Sequence, residues 1–284
     1  DLNAVNIKPL RKLGLLPLVV KILNPATQGV AIERANTYTY KTKEFMLSTA
    51  QAYHPMKFGD QHHIWQATLS GGIPIFSTHP GSPMFDDAAR NFSPSYWVGN
   101  GINPHAVQDE NKLFLLYDLT PRKGYLERNR QHFIHFNLPL DRFDEVLQMD
   151  QKIYLKSKDA YLAIFTSLPY TFKNEDELII SGKHIGCVVI LGSQSLHQNF
   201  KHFVSLYEDS TVSFKKHQIL YKDEKIYELK MKKPLKINGQ PVVTDYPRFD
   251  TPYVKAQRQP FSVSIQHEGL SLTHDYINFK RKES

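Results

Sequence analysis

Residues 63–78 read H-I-W-Q-A-T-L-S-G-G-I-P-I-F-S-T. His63–Leu69 is a strand pattern, Gly71-Gly72 is a turn signal, and Ile73–Thr78 reads as the return strand of a hairpin. Pro74 cannot donate to a ladder, which places Ile73–Thr78 at an edge or a strand start. Working outward, Thr37–Thr42 alternates aromatic and polar residues and Phe45–Ala50 repeats the strand pattern. Downstream, Lys112–Asp118, His132–Leu138, Phe143–Met149, Lys152–Leu155, Ala160–Thr166 and Glu177–Ser181 read as further strands. Gly186–Leu191 is continuously apolar, the pattern of a strand covered on both faces. Phe200, Phe203, Val204 and Tyr207 fall at helical spacing and predict one helix over Asn199–Tyr207. Thr211–Tyr221 and Lys225–Met231 alternate, Asn238-Gly239 between two apolar pairs is a hairpin signal, and Phe261–Gln266 and Leu270–His274 close the domain. Many short strands separated by turn signals predict an all-β antiparallel β-sandwich, with a short N-terminal helical segment and the one later helix.

The chain has 284 residues, 35 Lys+Arg against 28 Asp+Glu (+7), and 41% hydrophobic residues. This excludes collagen-like, disordered and disulfide-scaffold classes. One cysteine, Cys187, permits no internal disulfide and no cysteine-based zinc site, and its apolar surroundings read as core. Leu10–Leu23 is the most apolar stretch, but Arg11, Lys12, Lys21, Gly14 and Pro17 argue against a membrane span, and no small-residue cleavage site follows it. Residues 1–35 are expected to be an N-terminal segment, the remnant of or linker to a preceding helical domain. Residues 36–284 are expected to form the sandwich, with a sub-boundary near 208–212.

Residues 79–111 are rich in Pro, Gly, Asn, Asp and Ser and read as one long functional loop. Together with the preceding strand it makes His62–Gln108 the densest functional stretch. Both tryptophans and four of the 13 histidines lie there. Trp97 offers a flat apolar face to a sugar ring, and His62, His63, Asn100, Asn103 and Gln108 offer hydrogen bonds to hydroxyls or a carboxylate. Trp65, within a strand pattern, weighs roughly three to one toward core. His62 and His63 are adjacent and point to opposite faces of a strand, so a metal pair is not expected.

Other chemistry-bearing signatures are missing. There is no Gly-x-Ser-x-Gly, phosphate-binding loop, dinucleotide fingerprint or His-Glu-x-x-His, and neither a cofactor nor a metal is expected. Lysines and arginines are spread, apart from Lys230, Lys232, Lys233 and the tail Lys280-Arg281-Lys282. No nucleic-acid recognition pattern accompanies them, and the positive charge suits an acidic polysaccharide equally well.

Several segments resemble large bacterial proteins related to heparinase II/III-like polysaccharide lyases. They are Phe45–Tyr53, Gln61–Leu69, Thr78–Ser82, Tyr96–Gly101, Asn103–His105, Phe143–Val146, Gly182–Gly192 and Pro247–Tyr253. The resemblance spans most of residues 36–255. It implies the C-terminal, supersandwich-type part of such a protein, preceded by an (α/α) toroid, and the Asp1 start fits a toroid that is missing here. It implies a secreted, periplasmic or cell-surface setting and an acidic, uronate-containing glycan as the partner. The implied reaction is β-elimination, which needs a base, an acid for the leaving oxygen and a group to neutralise the uronate carboxylate. Chemistry, rather than a mapped motif, nominates His79, His105 and Tyr117 for proton transfer and Asn100, Asn103 and Gln108 for carboxylate or hydroxyl binding. Whether the chain turns over alone stays open, because part of the catalytic set can lie in the toroid. A non-catalytic carbohydrate-binding or structural module is the competing reading.

Overall fold

The computed structural model describes residues 8–19, 35–59, 62–81, 96–97, 101–121, 130–247, 249–256, 262–275, 278 and 280–284. The chain divides into two compact units, one of residues 35–244 and one of residues 1–34 with 245–284.

In the first unit, a seven-stranded antiparallel sheet runs in the order β1 (Thr37–Lys41), β2 (Phe45–Ala50), β3 (Trp65–Leu69), β4 (Ile73–Thr78), β7 (Phe133–Asn137), β12 (Glu177–Ser181), β11 (Tyr170–Asn174). The opening hairpin is there, with Leu69 paired to Ile73 and both Gly71 and Gly72 at positive φ. β4 is an interior strand, with Pro74 at its start, the second of the two expected placements. The sheet tolerates Pro74 because β7 pairs only with Phe76–Thr78, and Asn137 Nδ2 donates instead to the Pro74 carbonyl at 2.7 Å.

A six-stranded sheet faces it, in the order β5 (His105–Asp109), β6 (Lys112–Asp118), β13 (His184–Ser193), β10 (Ala160–Thr166), β9 (Lys152–Ser157), β8 (Glu145–Met149). Alternation within these strands builds two cores. Leu113, Leu115, Tyr117, Leu162, Ile164, Cys187 and Val189 point into the sandwich against Leu47, Trp65, Ile75, Phe136 and Leu178 of the first sheet. Phe114, Leu116, Tyr161, Phe165, Val188 and Ile190 point the other way. That second face is covered by the helix Phe200–Glu208 and by a third, five-stranded sheet. The third sheet comprises β14 (Thr211–Lys215), β15 (Gln218–Lys222), β16 (Ile226–Lys230), β17 (Lys236–Ile237) and β18 (Gln240–Pro241). The six-stranded sheet is thus a central layer, which explains why β10 and most of β13 are buried at every residue.

Local signals account for the ends of these elements. Asn199 caps the later helix, its side chain accepting from the His202 amide at 2.8 Å. A short helix, Gln194–His197, precedes it with Ser193 as cap. Asn238 and Gly239 both take positive φ in the β17–β18 turn.

Three expectations change. His105–Asp109 is not loop but edge strand β5. The third sheet begins at Thr211, as the helix-end boundary suggested, yet it belongs to the same compact unit as the sandwich. The last strands do not close the sandwich. In the second unit, β19 (Phe249–Asp250), β20 (Val254–Ala256), β21 (Ser262–His267), β22 (Leu270–Asp275) and β23 (Lys280–Glu283) form their own five-stranded meander. Its residues are mostly half-buried or exposed, so it has little apolar surface to add to a core. The same unit contains the short helix Lys8–Lys12. Among the described residues, no helix is long and apolar enough to cross a membrane.

Candidate functional site

The three residues nominated for proton transfer are buried and committed elsewhere. His79, 1% exposed, accepts the Ile102 amide on Nδ1 at 2.8 Å. Its Nε2 therefore carries the proton and donates to the Gln131 carbonyl at 2.8 Å. Burial holds its pKa down at about 4. His105 accepts the Lys232 amide on Nδ1 at 3.1 Å, tying β5 to the turn after β16, and burial again lowers its pKa to about 4. Tyr117 lies inside the sandwich, its hydroxyl donating to the Ser77 carbonyl at 3.2 Å and 3.0 Å from Ser77 Oγ, which also accepts from Trp65 Nε1 at 2.9 Å. Burial raises its pKa. These three side chains share no hydrogen bond or ring contact with one another among the described residues.

The nominated amides divide. Gln108 is a staple between the two sheets: Oε1 accepts from Thr49 Oγ1 at 2.7 Å, and Nε2 donates to the Leu47 and Glu110 carbonyls at 3.1 and 2.8 Å. It has no polar atom left for a sugar. Asn103 is buried too, but its Nδ2 has no hydrogen-bond partner among the described residues. Asn100 lies outside the described residues. Trp65 is core, as its strand pattern predicts.

His62, His63 and Trp97 remain at the surface. His62 is exposed with its ring edge-on to Tyr53 at 5.8 Å. His63 is exposed, stacks on Phe76 at 4.2 Å and places Nε2 2.8 Å from the Trp97 carbonyl. A carbonyl only accepts, so Nε2 carries the proton and Nδ1 is the basic nitrogen of the neutral ring. The half-buried Trp97 stacks on the ring of His135, centroids 4.0 Å apart at 15°.

Beneath Trp97 lies a group that the sequence reading does not nominate. His135, in the interior strand β7, points Nδ1 at Glu177 Oε1 at 2.9 Å. The Tyr96 hydroxyl donates to the same carboxylate oxygen, and Lys173 Nζ donates to the Tyr96 hydroxyl at 3.0 Å. Lys173 also stands 3.4 Å from Glu177 Oε2 and 5.0 Å from the centre of the Tyr96 ring. Burial alone would raise the Glu177 pKa, but hydrogen bonds from His135 and Tyr96 outweigh it and hold the carboxyl at about 2. Burial, and then the Glu177 hydrogen bond and charge, push the Tyr96 phenol well above its usual range, so it is a proton donor at neutral pH. Burial also pulls His135 below the ordinary imidazole value, against the acceptors Glu177 and the Tyr96 carbonyl. The register of β7 against β12 pairs His135 with Ile179, two residues from Glu177 on the same strand. The available sequence signal was a histidine and a glutamate at positions whose neighbours are core, since buried polar groups need partners.

One group among the described residues has metal-ligand spacing: Asp118, His184 and His217. It draws on the ends of two central strands and a turn, so no linear motif announces it.

Comparison with known family models, with curated proteins and with solved structures finds no match for this chain.

Proposed function

We propose that this chain is a β-sandwich module of a carbohydrate-active enzyme, a polysaccharide lyase that cleaves an acidic, uronate-containing glycan by β-elimination. No family match stands behind the reading, and side-chain geometry carries it. The observation that supports it is the Tyr96 hydroxyl held between Lys173 and the Glu177–His135 pair, beside Trp97 and the exposed His63.

In this reading Trp97 stacks on the sugar. Lys173, whose side chain is 42% exposed, neutralises the uronate carboxylate and so stabilises charge developing at the α-carbon. His63 Nδ1 takes the α-proton, the bond from C4 to the glycosidic oxygen breaks, and the Tyr96 hydroxyl turns its O–H from Glu177 to the departing oxygen and gives up the proton. Water then returns a proton to Tyr96, and His63 releases its own. His135 and Glu177 are positioning residues that hold Tyr96. The proton-transfer set of this reading lies wholly within the chain; a preceding (α/α) toroid in a parent chain would wall the cleft without adding to that set, and a secreted, periplasmic or cell-surface location goes with the substrate.

A second reading, a non-catalytic glycan-binding module, is favoured by one observation. Tyr96, His135 and Glu177 are only 8%, 0% and 1% exposed, and their hydrogen bonds can be purely structural. Both readings are tested by incubating the chain with a panel of acidic polysaccharides. The ultraviolet absorbance of unsaturated uronate product and the heat of oligosaccharide binding are followed together. Absorbance growth supports the lyase. Saturable binding with no product supports the second reading and overturns the first. Neither signal overturns both.

A further inference from the structure

We propose that Asp118, His184 and His217 bind a divalent first-row transition ion, with zinc the best match, leaving one coordination position open to a basic groove. The inference does not depend on the glycan reading. Asp118 ends β6 and His184 begins β13, and the two are register partners in the central sheet. His217 sits in the turn where Lys215 pairs with Gln218. Two nitrogens and one carboxylate oxygen therefore come from rigid points of the fold, and all ligand atoms lie within 4.8 Å of one another.

The distances have the right size. His184 Nδ1 is 3.4 Å from Asp118 Oδ1, and His217 Nδ1 is 3.6 Å from Asp118 Oδ2. Ligands about 2.0–2.1 Å from a tetrahedral zinc stand roughly 3.3 Å apart. Among the described residues neither Nδ1 has a hydrogen-bond partner, although both atoms are buried. The rings face each other edge-on, centroids 4.9 Å apart. Two imidazolium rings so close would repel. Two neutral rings with bare Nδ1 atoms would set two lone pairs against a carboxylate. A shared cation removes both difficulties at once.

The surroundings fit. Thr120 donates its amide and its hydroxyl to Asp118 Oδ1 at 3.0 and 2.5 Å, which orients the carboxylate and leaves Oδ2 as the freer oxygen. Nitrogen ligands exclude magnesium and calcium as preferred ions. Asp118 and His217 also line an open groove of about 610 Å³ whose wall includes Lys215, Lys216, Lys230 and Lys233. Lys230 is already paired with Glu228 at 2.6 Å, while Lys215, Lys216 and Lys233 add positive charge near the groove that weakens the pull on a bare dication and attracts an oxyanion. The open position therefore suits a carboxylate or phosphate oxygen, which brings the site close to electroneutrality.

The test is zinc titration of the chelator-stripped full chain by calorimetry, with cobalt as the spectroscopic probe. One equivalent is expected to bind. His217→Ala removes a ring that is 43% exposed in a turn and should fold normally, yet bind zinc at least about tenfold more weakly. Asp118→Asn should weaken binding in the same direction, whereas His267→Ala, at an exposed hairpin position, should change nothing. Inorganic phosphate added to the cobalt-loaded protein is expected to alter its visible spectrum, marking the open position. Equal affinity in wild type and His217→Ala, or no saturable binding at millimolar zinc, overturns the site. A cobalt spectrum indifferent to phosphate overturns the open position.

Discussion

Gln108 shows how polarity inside this fold works. Every hydrogen-bonding atom of its side chain joins β5 to β2 or closes its own turn, and Gln51 returns the contact by accepting the Gln108 amide at 3.0 Å. Gln108→Ala strands Thr49 Oγ1 and the Leu47 carbonyl inside the sandwich and is expected to cost about 2–4 kcal/mol, measured by urea unfolding. His79 and His105 act in the same way, and their titration makes that visible. Each has a folded pKa of about 4 against an ordinary 6.5. Below pH 6.5 the unfolded chain takes up protons that the folded chain refuses. The stability from each ring is complete above pH 6.5 and lost as pH falls toward 4, at roughly 1.4 kcal/mol per pH unit per histidine. The urea midpoint should drop markedly between pH 7 and pH 5, and His79→Gln should reduce that slope. A midpoint unchanged over this interval would contradict the assignment. The same residues explain why the sequence reading nominated structural groups: a polar residue that staples two layers has the same letter as one that meets a ligand. Tyr96, His135 and Glu177 make no linear motif, because they come from three separated segments.

At the scale of the elements, strands with one clear buried face were legible, and so were the helix over Phe200–Glu208 and the Asn238-Gly239 turn. What escaped has physical causes. β5 looked like loop because His105 and Gln108 are polar, although both are buried and satisfied across layers. β14 and β15 read as one run because their turn, Lys216-His217, contains neither Gly nor Pro. β11, β19 and β23 have no fully buried residue and so show little hydrophobic pattern. The segment preceding β5 illustrates how tightly a connection can be held. Gly101 accepts the Gly59 amide at 2.7 Å and lies against His79. A Cβ there would fall 2.2 Å from His79 Nδ1 and 2.3 Å from its carbonyl oxygen. Because backbone cannot give way cheaply, Gly101→Ala is expected to destabilise by about 1–3 kcal/mol or more, seen as a lowered thermal midpoint. An unchanged midpoint would mean the segment shifts freely.

Across the whole molecule, the decisive feature is a central sheet shared by two cores. Neither core can open without exposing a face of β6, β10 and β13. Residues 35–244 expressed alone should therefore unfold in one cooperative transition by both fluorescence and circular dichroism, and two separated transitions would contradict a shared layer. The net charge of +7 on the full 284-residue chain should steer a polyanion toward it, with association weakening as salt rises. The central functional claim is that Tyr96 donates a proton in an elimination reaction. The most direct test compares wild type with Tyr96→Phe on the acidic polysaccharide that gives the largest ultraviolet product signal. The account predicts at least about a hundredfold lower rate for the variant, with oligosaccharide binding retained. A variant that forms product as fast as wild type would contradict it.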